Sequence, residues 1–101
     1  MIYISGPISN DPDYMKKFAM VAIDLVYSKY ADSHSDIINP ARVLSQLPVQ
    51  KLEYDDLMKL CLDLLSMCDT ICMMKGWRES KGACIEYQYA VDHNLTIIEQ
   101  Y

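Results

Sequence analysis

The chain has 101 residues, 51% of them hydrophobic and 23% charged, which is enough for one domain with its own core and excludes a disordered chain. The net charge is −5, from 14 acids against 9 bases, and the bases are scattered; this argues against a nucleic-acid duplex or an anionic membrane as partner. Glycine is scarce, with only Gly6, Gly76 and Gly82, which excludes Gly-rich linkers and leaves little for a phosphate cradle.

In chain order, Met1-Ile2-Tyr3-Ile4 reads as a short buried strand, followed by a loop from Ser5 to Asn10. Asp11-Pro12-Asp13 has the chemistry of a helix start, with Asp11 as cap and Pro12 in the first position. The helix is predicted to run to about Tyr30. Its inner stripe is Tyr14, Phe18, Val21 and Leu25, widened by Met15, Ala22 and Val26. After a polar turn, Asp36-Ile37-Ile38-Asn39 reads as a second strand closed by Pro40. The stretch from Ala41 to Gln50 is irregular or a short helical turn.

A long helix is predicted from Leu52 to Met67, with Leu57, Leu60, Cys61, Leu64 and Cys68 on one face. Asp69 to Met74 is the third strand and Lys75 to Gly82 a loop. Ala83 to about His93 is a helix with Ala83, Tyr87, Ala90 and Val91 inward, and Leu95 to Glu99 the last strand. The βαβαβαβ order implies a parallel sheet with right-handed crossovers. The expected architecture is a Rossmann-like or flavodoxin-like three-layer α/β domain spanning 1–101. Its four strands stand in the order 2-1-3-4, with helices on both faces. Such sheets bind ligands beyond the carboxyl ends of their strands. Gly6 follows the first strand, and Gly76 and Gly82 follow the third, so all three mark that edge.

No apolar run is long enough to span a bilayer, and the amino-terminal segment lacks the basic and hydrophobic regions of a signal peptide. A cytoplasmic protein with reduced cysteines is expected. Cys61 and Cys68 lie about 10 Å apart on one helix, too far for a disulfide. With no CxxC and no paired histidine, zinc is not expected. Cys68, Cys72 and Cys84 read as small buried hydrophobes. His93 sits where a helix C-terminal capping cation would.

The loop after strand three carries the chemistry. Ser80 can cap the following helix, whose free N–H groups favour an anion. Glu86 lies near that helix start, where the dipole favours an ionised nucleophile; on spacing alone the solvated helix carboxylate is the simpler reading. Trp77 is either a stacking platform for a base or a rim aromatic. Lys75, Arg78 and Lys81 surround the loop and suit a phosphorylated ligand, or are solvated loop charges.

The segments Tyr3-Ile4-Ser5-Gly6-Pro7-Ile8, Ile38-Asn39-Pro40, Cys68-Asp69 and Gly76-Trp77…Ser80-Lys81-Gly82-Ala83…Glu86 carry a resemblance that covers nearly the whole chain. They resemble a small phage and bacterial domain family of unassigned function. That family is similar to the nucleoside 2-deoxyribosyltransferases and the 2′-deoxynucleoside 5′-phosphate N-glycosidases. The resemblance implies that Glu86 is the nucleophile on the anomeric carbon, with Tyr3 beside it. It implies that Ser80 contacts a 5′-phosphate and that Gly6, Pro7 and Ile8 line the nucleoside pocket. Ser5, Asn39, Gly76, Trp77 and Gly82 complete the expected substrate-binding set. The implied ligand is a small nucleoside or nucleotide, with no cofactor and no metal.

The resemblance also implies a homodimer or higher homo-oligomer whose neighbouring subunit completes the pocket, with Tyr101 placed to reach one. Met20, Ile23 and Tyr27 widen the first helix's apolar face in keeping with self-association.

One departure from the resemblance matters. The enzymes carry an aspartate eight residues before the position of Asp69, and here that residue is Cys61. Asp63 lies about 200° further round the helix. Two functions therefore compete: an N-glycosidase or deoxyribosyltransferase, and a protein that binds a nucleotide-derived ligand without turning it over. A third reading is an interaction protein with a vestigial pocket.

Overall fold

The computed structural model describes residues 1–8, 11–28, 30–47 and 52–100. Strand β1, Ile2–Ser5, lies inside a parallel sheet of order β2-β1-β3-β4, with β2 Ile37–Ile38, β3 Thr70–Met73 and β4 Thr96–Glu99. Ile2 pairs with Ile37 on one side and Thr70 on the other, and β3 continues the register to β4 from Thr70↔Thr96 to Met73↔Glu99. The predicted sheet and strand order are those observed.

Alternation along β1 and β3 builds two cores. Ile2, Ile4, Cys72 and Met74 face helix α1, Tyr14–Tyr27, and meet its Phe18, Val21, Ala22 and Leu25. Tyr3, Ile71 and Met73 face the other way, onto Cys61 and Leu65 of α3, Tyr54–Leu65, and Ala83 and Ala90 of α4, Lys81–Asp92. A short helix α2, Pro40–Leu44, adds Ala41 to the α1 side.

The ends of the elements differ from the sequence expectation because caps consume them. Asp11 does not cap α1. Its Oδ1 accepts from the Asp13 amide at 2.9 Å and its Oδ2 takes the Lys17 ammonium at 2.8 Å, so Asp11-Pro12-Asp13 is a turn before the helix. The helix stops at Tyr27 because the amides of Tyr30 and Ala31 both turn back to the Leu25 carbonyl.

The second strand is two residues rather than four. The Asp36 carboxylate accepts from the Ser33 amide in a capping box, and Asn39 Oδ1 accepts from the Arg42 amide to cap α2. On α3 only Cys61 and Leu65 are fully buried, while Leu57 and Leu64 wall two clefts. On α4 the inward face is Ala83, Glu86 and Ala90, and Val91 points to solvent, opposite to expectation.

All four cysteines are free; Cys61, Cys68 and Cys72 are buried. Cys84 is exposed rather than core, its thiol donating to the Arg78 carbonyl at 3.4 Å. His93 is the C-cap residue of α4, its ring against the Tyr89 carbonyl. No helix among the described residues is long and apolar enough to cross a membrane.

Candidate active site

Ser80 sets the position of α4. Its side chain accepts from the Ala83 amide at 3.2 Å, so the helix begins at Lys81 and carries Glu86 inward over β1. Tyr3 and Ser5, two apart on the strand, present both hydroxyls to that same face. Ser5 Oγ donates to Glu86 Oε1 at 2.6 Å, and the Tyr3 hydroxyl donates to Oε2.

Glu86 is only 6% exposed and Tyr3 and Ser5 are 0% exposed. Burial pushes the Glu86 carboxyl up from 4.5 to about 7, against the lowering effect of the two hydroxyl donors. Burial, then the Glu86 charge, raise Tyr3 well above its ordinary value, so it remains a donor at neutral pH. Burial, then the Glu86 charge, raise the Cys61 thiol as well, so Cys61 stands neutral beside them.

Glu86 forms part of the wall of a cleft of about 830 Å³, within the roughly 300–1,000 Å³ typical of small-molecule sites. Gly6, Pro7 and Ile8 line one side, Gly76, Ser80 and Gly82 another, and Phe18, Pro40, Leu57, Met58 and Cys61 supply apolar wall. Lys75 and Lys81 also line it and form no ion pair among the described residues. Two glycines are required by the geometry. Gly76 has φ of +84°, the left-handed region. At Gly6 a Cβ would lie 2.6 Å from Met74 Sδ, so only glycine lets the loop pass over the end of β3.

A family model described as a domain of unknown function (DUF4406) matches residues 1–99. The chain belongs to that family. No curated protein and no solved structure matches it.

In this DUF4406 domain, most of the sequence-predicted site converges on one cleft: Tyr3, Gly6, Pro7, Ile8, Gly76, Ser80, Gly82 and Glu86 all line it, with Cys61. The solvated reading of Glu86 does not hold, because α4 turns it onto β1.

Three residues sit elsewhere. Ser5 is sealed beneath Glu86 and is not among the lining residues. Trp77 is also absent from the lining; it is 7% exposed, its indole donates to Glu99 Oε1 at 3.1 Å, and it meets Tyr87 edge-on. Asn39 caps α2 and faces a separate groove of about 490 Å³.

Arg78 is drawn off by Glu99 at 2.8 Å and lies over the Trp77 ring, so of the three loop cations only Lys75 and Lys81 face the cleft. Asp69 lies just before β3, at the amino ends of the strands and away from the cleft. Tyr101 lies outside the described residues.

Sequence reasoning missed Tyr54. It opens α3, lines the cleft with 44% of its surface exposed, and holds the Lys81 ammonium 5.3 Å from its ring centroid. Nothing local marks it, since the contact joins two helix starts that are distant in sequence. Among the described residues no group of three or more His, Cys, Asp or Glu is placed to hold a metal ion.

Proposed function

We propose that this chain cleaves the N-glycosidic bond of a nucleoside or nucleoside 5′-phosphate, as an N-glycosidase or a deoxyribosyltransferase-like enzyme. The observation that carries the reading is Glu86, a buried carboxylate held on both oxygens by Tyr3 and Ser5 at the wall of a nucleoside-sized cleft. The resemblance of the chain to nucleoside deoxyribosyltransferases supports the same role for Glu86.

In this chemistry a Glu86 oxygen attacks the anomeric carbon as the bond to the base nitrogen breaks. The base leaves with the bonding electron pair and takes up a proton from solvent water. Water, or a second base, then attacks the same carbon, the glycosyl ester opens, and the carboxylate is regenerated. The hydroxyl donors favour the anionic carboxylate, partly offsetting the burial that raises it to about 7, and the ionised form is the one that attacks the developing cation. Ser80, the α4 start, Lys75 and Lys81 offer donors to a 5′-phosphate, on a wall that also carries Glu79.

Incubation with a panel of deoxynucleosides and their monophosphates, with released base followed by chromatography, tests the reading. Absence of release, or undiminished release by Glu86→Ala, overturns it.

One observation favours a second reading, a protein that binds a nucleotide-derived ligand without cleaving it. Cys61, at the cleft wall beside Tyr3 and Glu86, is a neutral thiol where an acid is expected. Loss of a general acid lowers rates by about 10²–10⁴. Calorimetry with intact ligand recovered afterwards supports this second reading. Hydrolysis gained in Cys61→Asp marks that thiol as the missing acid.

A further inference from the structure

A strand buried on both faces is normally a continuous apolar run. β1 departs from this twice, at Tyr3 and Ser5. Tyr3 borders the cleft, whereas Ser5 does not and is 0% exposed. Its hydroxyl has one described side-chain partner, Glu86 Oε1 at 2.6 Å.

The terminal torsion of a glutamate is broad and roughly two-fold, so one hydrogen bond holds one oxygen and leaves the carboxyl plane poorly defined. Two donors on the two oxygens define it. Strand residues two apart are separated by about 6.6 Å. A long tyrosine and a short serine can therefore reach the two ends of one carboxylate from the same strand face. β1 is paired on both sides, to β2 and to β3, so both donors stand on fixed backbone.

We infer that Ser5 is a positioning residue for Glu86: together with Tyr3 it fixes the plane of the carboxyl group and favours its anionic form, without touching the ligand. The inference deepens the glycosidic reading and rests on it for its relevance to catalysis. The contact itself is measurable without any substrate.

The experiment follows the Glu86 carboxyl carbon by ¹³C NMR across pH in wild type, Ser5→Ala and Ser5→Thr, with Glu86→Gln identifying the signal. It is paired with pH–rate profiles of base release. In Ser5→Ala the Glu86 titration is expected to move up by about one pH unit, a roughly tenfold change in the ionisation equilibrium. The acid limb of base release moves with it, and the rate at pH 6.5 falls roughly tenfold while KM stays within about twofold. Ser5→Thr, which keeps the hydroxyl, restores the wild-type titration.

A Glu86 titration unmoved by Ser5→Ala overturns the inference. So does a raised KM with an unchanged kcat, which would make Ser5 a ligand contact. Base release absent from wild type defeats the glycosidic reading alone, because the titration still decides the role of Ser5. Should Ser5→Ala not fold, Ser5→Cys, a near-isostere and a much weaker donor, carries the same measurement.

Discussion

Replacing Glu86 by glutamine is expected to stabilise the fold at alkaline pH. The carboxyl is pushed from 4.5 up to about 7 in the folded chain, chiefly by burial. The folded state therefore binds more protons than the unfolded one between those values. The stability this group contributes is fully present below about pH 4.5 and is lost as pH rises through about 7. At roughly 1.4 kcal/mol per pH unit, the ionised carboxylate at pH 8 leaves the fold about 3 kcal/mol less stable than its protonated form.

Glutamine has nearly the same shape. Its carbonyl keeps one hydroxyl donor, and its amide can donate to the oxygen of the other. The buried charge is gone, so the penalty of that charge goes with it. Glu86→Gln is expected to exceed wild type by roughly 2 kcal/mol at pH 8, which for a domain this size is about 8–16 °C in Tm. At pH 4.5 the two are expected to melt together. Thermal denaturation by circular dichroism at half-unit pH steps measures the difference, and groups common to both proteins cancel. A Tm difference that is constant from pH 4.5 to 8, or a less stable variant at pH 8, refutes the account of Glu86 as a carboxyl whose ionised form is penalised by burial.

Three further outcomes follow from the geometry. Gly6→Ala places a methyl 2.6 Å from Met74 Sδ and is expected to destabilise the fold by about 1–3 kcal/mol through overpacking, measured by urea denaturation; a neutral result would mean that the loop shifts freely. Lys81→Ala, at the cleft rim, is expected to weaken binding of a nucleoside monophosphate about fivefold while leaving the unphosphorylated nucleoside unchanged, by calorimetry; equal losses for both ligands would remove the phosphate role. Self-association through the exposed α1 face, which carries Met20, Ile23 and Tyr27, predicts a lower mass for Ile23→Glu than for wild type in sedimentation velocity, and identical masses for both proteins would exclude that face.

The elements carrying strong periodicity were legible in the sequence, including all four strands, α1, α3 and α4. Their boundaries were not, since they depend on where single side chains turn. Asp36 can extend a strand or close a capping box, and only the Ser33 amide three residues back decides which. The site was legible at its edge, where three glycines and a helix cap mark the carboxyl ends of the strands.

What tertiary partners decide was not legible. Trp77 looks like a stacking platform until its indole N–H donates to Glu99, 22 residues on, and Tyr87 meets its ring edge-on. Glu86 looks like a surface acid until Tyr3 and Ser5, more than 80 residues earlier, meet it. The resemblance places Tyr3 beside Glu86; in the residues themselves the hint is a serine and a tyrosine at alternate positions of an otherwise apolar strand.

The cleft is built from parts of unequal stiffness. Its floor rests on β1, locked between two neighbouring strands, whereas Tyr54 and Lys81 reach over it from exposed helix starts. A substitution in that pair changes the rim and leaves the strand pairing under the floor untouched. Residence time and reactivity would therefore respond to different substitutions. Altering the pair at the rim would then separate how long a ligand stays from what Glu86, held on β1 by Tyr3 and Ser5, does to it.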